Sequence, residues 1–239
     1  MITVALSVRA LAVSYGRRLV FDRVSFDVGA GQCLGVIGQN GAGKTTLLRT
    51  IAGCIVPAQG EVRINGLTPR DALARVGVAY FAGEATLPAF VRASAWGRLG
   101  TGEPVTLDQR PLRALSRGGR QLLGLRTVLG RHPLGLVLLD EPWEALDPDS
   151  ARWLSTTLES KRDRGAAVVV SSHRLHDLAG LCDAYLFLLP HRTELLKAHE
   201  ISHVGPVTPA LLANVFEKLR DGSVCESTQA IMTADIGRR

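Results

Sequence analysis

No stretch of these 239 residues reaches about 18 uninterrupted apolar positions, so the sequence holds no segment expected to cross a membrane as a helix. The first residues, Met1 to Leu6, lack the basic, apolar and small-residue succession of a secretory signal. There is no internal repeat. Lys and Arg exceed Asp and Glu by six, but the arginines are scattered and Arg117-Gly118-Gly119-Arg120 is the nearest thing to a cluster. A mildly basic, solvated surface accounts for this better than a nucleic-acid groove. The four cysteines, Cys33, Cys54, Cys182 and Cys225, lie far apart with no metal-ligand spacing. Cys33 and Cys54 fall in apolar segments where buried free thiols are expected, which fits a reducing compartment. A hydrophobic content of 46% is ample for the core of one large domain.

What is present centres on Gly38-Gln39-Asn40-Gly41-Ala42-Gly43-Lys44-Thr45-Thr46. This is the P-loop spacing, with four residues between Gly38 and Gly43-Lys44-Thr45. An apolar run, Cys33 to Ile37, precedes it, and Thr46 to Ala52 follows with apolar residues at helical spacing. Backbone N–H groups must turn inward around phosphate oxygens, which glycine permits, and a helix N-terminus adds partial positive charge. Lys44 would reach the β- and γ-phosphates, and the Thr45 hydroxyl would ligate Mg²⁺. The chain is therefore expected to bind a nucleoside triphosphate.

The flanking pattern predicts the fold class. Leu11 and Val13, then Val24, Phe26 and Val28, alternate as antiparallel strands, and Glu61 to Ile64 alternates ahead of an Asn65-Gly66 turn. The segments 76–81, 134–139, 166–170 and 184–189 are short apolar runs separated by helical patterns, among them Gln121 to Leu129 and a helix opening at Asp147-Pro148. That alternation predicts an α/β P-loop core: a mainly parallel sheet flanked by helices, an N-terminal antiparallel β-subdomain, and a short helical insertion over about 82–118. Beyond Pro190 the pattern thins, with a helix expected near Pro209 to Leu219 and a polar, poorly ordered tail from Asp221.

Two further groups fall at the ends of apolar strands, where a parallel sheet places its ligand crevice. Asp140 would hold Mg²⁺ through its water shell, and Glu141 would orient and polarise an attacking water. His173 follows the next strand and would donate to a γ-phosphate.

In this order the residues resemble the ATP-binding subunit of an ABC transporter, from about Leu6 to Leu189. Gly38 to Thr46 is similar to Walker A, with Asn40, Gly41, Ala42, Gly43, Lys44, Thr45 and Thr46 in the family's wording. Leu136 to Pro142 resembles Walker B, Ala145-Leu146-Asp147 the D-loop, and His173 the switch histidine. Leu115 to Gln121 stands at the signature motif. The resemblance implies that Tyr15 stacks on adenine and that ATP and Mg²⁺ are the cofactors. It further implies a head-to-tail homodimer or heterodimer in which Ser116 and Gly118 of one subunit close over the γ-phosphate on the other. An ABC-type ATP-binding domain would cover 1–205, with 206–239 as a C-terminal helix and tail.

Two departures stand out. The signature reads Leu-Ser-Arg-Gly-Gly where the family has Leu-Ser-Gly-Gly-Gln, and a positive φ at Arg117 would carry backbone strain. The active-site glutamine after the 76–81 strand is absent, leaving Glu84 as the expected Mg²⁺ ligand in its place. The resemblance implies an ATP-hydrolysing motor for a separate membrane permease subunit, more exporter-like than importer-like. It would be cytoplasmic and peripheral on the membrane, with no nucleic-acid partner. The alternatives are a nucleotide-binding regulator with impaired hydrolysis and a soluble, non-transport ABC ATPase.

Overall fold

The computed structural model describes residues 3–101, 106–131, 133–190 and 192–221. The expected tail lies almost wholly outside them, as does Cys225. In chain order the elements are β1 (Val4–Tyr15), β2 (Arg18–Gly29), β3 (Cys33–Gly38), α1 (Lys44–Ile51), β4 (Gln59–Ile64), α2 (Pro69–Arg75) and β5 (Val78–Phe81). Then come α3 (Ala93–Thr101), α4 (Arg117–Leu129), β6 (Leu136–Asp140), α5 (Pro148–Asp163), β7 (Ala167–Ser172) and α6 (Leu175–Leu178). The last are β8 (Ala184–Leu189), β9 (Arg192–Lys197), α7 (Ala198–Ile201) and α8 (Pro209–Arg220).

Two sheets form. One is antiparallel, in the order β2-β1-β4, and the other has six strands in the order β5-β6-β7-β3-β8-β9, parallel except for β9. β3, β6 and β7 are buried at every position, as the unbroken apolar runs require when helices cover both faces. Each fully buried Leu or Val contributes about 1.5–3 kcal/mol of transfer free energy. Because alternate side chains leave opposite faces of a strand, two cores result. Val36, Leu138 and Val169 meet α1 and the antiparallel sheet. Ile37, Val137, Leu139 and Val168 meet α4, α5 and α8. The insertion has its own small cluster, in which Ala93 and Leu112 pack on Leu123 of α4.

Several expectations are corrected. α4 begins at Arg117 rather than Gln121, because Ser116 caps it by accepting from the Gly119 amide. Arg117 is its first residue and has no positive φ, so the expected strain does not arise. The sequence pattern missed α2, which opens on Thr68 as N-cap and Pro69, and missed β9, which pairs antiparallel with β8. α8 forms over Pro209–Arg220, where a helix is expected. It packs Leu212 and Leu219 into the second core and sets Phe216 against Phe187, with ring centroids 6.2 Å apart. Cys54 is exposed, whereas Cys33 and Cys182 are buried with their sulfurs 3.6 Å apart.

Candidate active site

The site forms where β3, β6 and β7 end side by side. Ile37 lies opposite Ser172 in the parallel register, and Asp140 opposite Ser171. The chain leaves β3 at Gly38 and reaches α1 through Gly43 at φ 102°, where an added Cβ would sit 2.7 Å from Val20 Cγ1. Only glycine satisfies both the angle and that approach. α1 then starts with no side-chain cap, unlike α2, α4, α5 and α8, each capped by a Thr, Ser or Asp side chain. The first amides of a helix have no partner within it, so those of Lys44, Thr45 and Thr46 are left for an anion.

Lys44 is 7% exposed, and its ammonium donates to the Gly38 carbonyl at 2.8 Å. It also pairs with Glu141 Oε1 at 3.2 Å. Glu141 Oε2 accepts from the His173 amide at 3.1 Å and faces His173 Nδ1 at 2.9 Å. The structure thus gathers Lys44, Glu141 and His173 from three strand ends into one chain of contacts. Beside them Asp140 takes two hydroxyl donors, Thr45 Oγ1 on Oδ2 and Ser171 Oγ on Oδ1, each at 2.5 Å. Ser171 was not singled out in the sequence. Its oxygen also receives the Glu141 amide at 3.1 Å, so it fixes both acidic residues. The signal that could have found it is its place one strand across from Asp140.

The loop after β6 is sharply bent, with Glu141 at φ 46° and Ala145 at φ 58°. Gln121, 2% exposed, locks that loop to α4 by donating to the Glu141 and Pro142 carbonyls at 3.3 and 3.0 Å, while its carbonyl accepts the Glu84 amide. α4 lies so close that a Cβ on Gly118 would meet the Ala145 carbonyl at 2.4 Å. Ser116 is exposed at the head of α4.

Glu84, expected to ligate Mg²⁺, is held by arginines. Both its carboxylate oxygens are engaged by guanidinium groups, Oε1 by Arg117 at 3.2 Å and Oε2 by Arg120 at 2.7 Å. Arg117 also reaches Glu144 at 2.5 Å. Arg117 and Glu84, two of the positions that depart from the family pattern, are therefore paired with each other. Tyr15 is 53% exposed where β1 turns into β2. It does not line the cavity of about 490 Å³ that opens beside Gln39 to Ala42, between Val20, Phe21, Leu188 and Phe216.

A buried lysine and uncapped amides suit polyphosphate, and the hydroxyl-carboxylate pair Thr45 and Asp140 suits a hard divalent cation. Comparison with known proteins agrees. Residues 21–144 match the family described as ABC transporter. The chain is 36% identical over 189 residues to the cytochrome c biogenesis ATP-binding export protein CcmA of Pseudomonas aeruginosa, covering 69% of this chain and 90% of that one. It is 32% identical over 203 residues to the Nod factor export ATP-binding protein I of Rhizobium meliloti, covering 76% of this chain and 60% of that protein. In fold it resembles the solved ATP binding subunit of an ABC transporter, with a TM-score of 0.75 at 23% identity over 88% of this chain and 98% of that one.

Proposed function

The chain belongs to the ABC transporter family as an ATP-binding and ATP-hydrolysing subunit, and from that premise we propose that it drives export through a separate membrane permease. Among the described residues no helix is long and apolar enough to cross a membrane, so force must pass to the permease through a contact surface. The resting place of the subunit would be the cytoplasmic face of the membrane. The relatives named as export proteins support that direction.

The observation that carries the catalytic reading is the Lys44–Glu141–His173 chain of contacts beside Thr45 and Asp140. When ATP occupies the P-loop, Lys44 turns from Glu141 to the phosphates. Glu141 is then free to accept a proton from an attacking water, and His173 holds its carboxylate in place. Thr45 and Asp140 would hold Mg²⁺, which supplies charge neutralisation at the phosphates when bound. Ser116 and the Gly118 amide at the head of α4 have the donor chemistry to close over the γ-phosphate of a second, head-to-tail subunit.

ATPase activity of the purified chain, with Lys44→Ala as control, tests the proposal, and copurification of an integral membrane protein tests its transport half. A second reading, a nucleotide-binding regulator with weak turnover, is favoured by Gly119 in place of the signature glutamine and by the engagement of Glu84 with arginines. Tight ATP binding without turnover, alone or with membrane fraction, would establish that second reading.

A further inference from the structure

Glu144 stands beside the catalytic pair. One ligand atom from each of Glu141, Glu144 and His173 falls within 4.8 Å of the others. Two carboxylates thus compete for one imidazole, and His173 Nδ1 sides with Glu141 at 2.9 Å. What distinguishes the two acids is their cations. Glu141 has Lys44 at 3.2 Å, whereas Glu144 has Arg117 at 2.5 Å. Arg174 also adds positive potential near both acids, but its guanidinium is committed to Asp177 at 2.8 Å.

We propose that Arg117 is a positioning residue that withholds Glu144 from His173 and so keeps the imidazole on Glu141. The inference deepens the ATPase reading and rests on it. Arg117 can do this because it is the first residue of α4, and its neighbour Gly118 packs on the Ala145 carbonyl in the loop that carries Glu144. Glu84 holds the Arg117 Nε at 3.2 Å and fixes the direction of the fork. Without Arg117, Glu144 is an unneutralised carboxylate next to His173, and like-charge repulsion pushes it and Glu141 apart. The arginine at a signature position thereby acts on the general base of its own subunit.

The test is a double-mutant cycle read by steady-state ATPase and, independently, by NMR of the histidine rings. Misplacement of the base predicts that Arg117→Ala lowers kcat by about 10- to 100-fold while the ATP KM stays nearly constant. Removing the competitor restores the site, so Arg117→Ala combined with Glu144→Gln is expected within about threefold of wild type. The proposal is overturned if Arg117→Ala is silent, or if Glu144→Gln alone is as damaging and the double variant no better. Either result makes the ion pair a brace for α4.

The NMR arm does not depend on turnover. The His173 ring signal, identified by its loss in His173→Gln, should respond to Glu141→Gln in the wild-type background and to Glu144→Gln in the Arg117→Ala background. A ring that answers only to Glu141 in both backgrounds sinks the idea. Absence of any wild-type ATPase counts against the proposed function, and the ring measurement then decides this inference alone.

Discussion

The Thr45 hydroxyl donates to Asp140 across 95 residues of sequence, joining the head of α1 to the end of β6 at 2.5 Å. Both oxygens belong to the pair proposed for Mg²⁺. Thr45→Val keeps the shape of the side chain and removes the hydroxyl. Loss of a single ligand to a charged centre, about 1.5–3 kcal/mol, predicts that half-maximal ATPase needs at least tenfold more Mg²⁺. A Mg²⁺ titration with unchanged midpoint would remove Thr45 from the metal site.

Glu141→Gln nearly preserves volume and abolishes the base. Nucleotide binding should persist while turnover falls about 10²- to 10⁴-fold. The variant saturated with ATP and Mg²⁺ should elute from gel filtration as a dimer, and a strictly monomeric species there would count against head-to-tail closure.

Ser116 is exposed at the head of α4, and its oxygen caps Gly119 at 3.0 Å. If it acts across a dimer, Ser116→Arg leaves ATP binding by one subunit intact and blocks hydrolysis, because overpacking at the interface costs about 1–3 kcal/mol. The melting temperature of Ser116→Ala, which loses the cap without adding bulk, controls for stability. Mixing Ser116→Arg with Lys44→Ala subunits should restore one competent site per heterodimer. Activity no greater than that of either variant alone would contradict action in trans.

Asp147 caps α5 by accepting from the Ser150 amide and hydroxyl at 2.8 and 2.9 Å. The Ser150 amide, and then its hydroxyl, hold the Asp147 carboxyl below its ordinary value of 3.8. A depressed native pKa gives stability that is full above the unfolded value and is lost as pH falls through the native one. Thermal melts of wild type and Asp147→Ala should therefore differ at neutral pH and begin to converge only as pH falls below about 4. A constant difference down to pH 2 would assign the effect to something other than the carboxylate.

Much of this architecture was legible in the sequence because it depends on local pattern. The unbroken runs at Cys33 to Ile37 and Leu136 to Leu139 announce strands buried on both faces, and strand ends in a parallel sheet point to the ligand crevice. Asp147-Pro148 and Pro209 mark helix starts by the same local chemistry. β9 was missed because its residues are mostly half-buried or exposed, so little apolar periodicity marks it. The engagement of Glu84 was hidden for a different reason. Its partners Arg117 and Arg120 lie 33 and 36 residues away, and pairing at that range depends on how α4 docks, which no local spacing encodes. Whether Arg117 takes the positive φ that would strain it is likewise not local: as the first residue of α4 it does not.

The left-handed backbone at Glu141 and Ala145 sets thermal endurance against turnover. A non-glycine residue held there costs about 1–3 kcal/mol, which glycine would relieve. Ala145 could yield to glycine with little chemical loss, but at Glu141 the relieving substitution deletes the base itself. A lineage drifting toward heat tolerance could exploit the first position freely and the second only by abandoning hydrolysis.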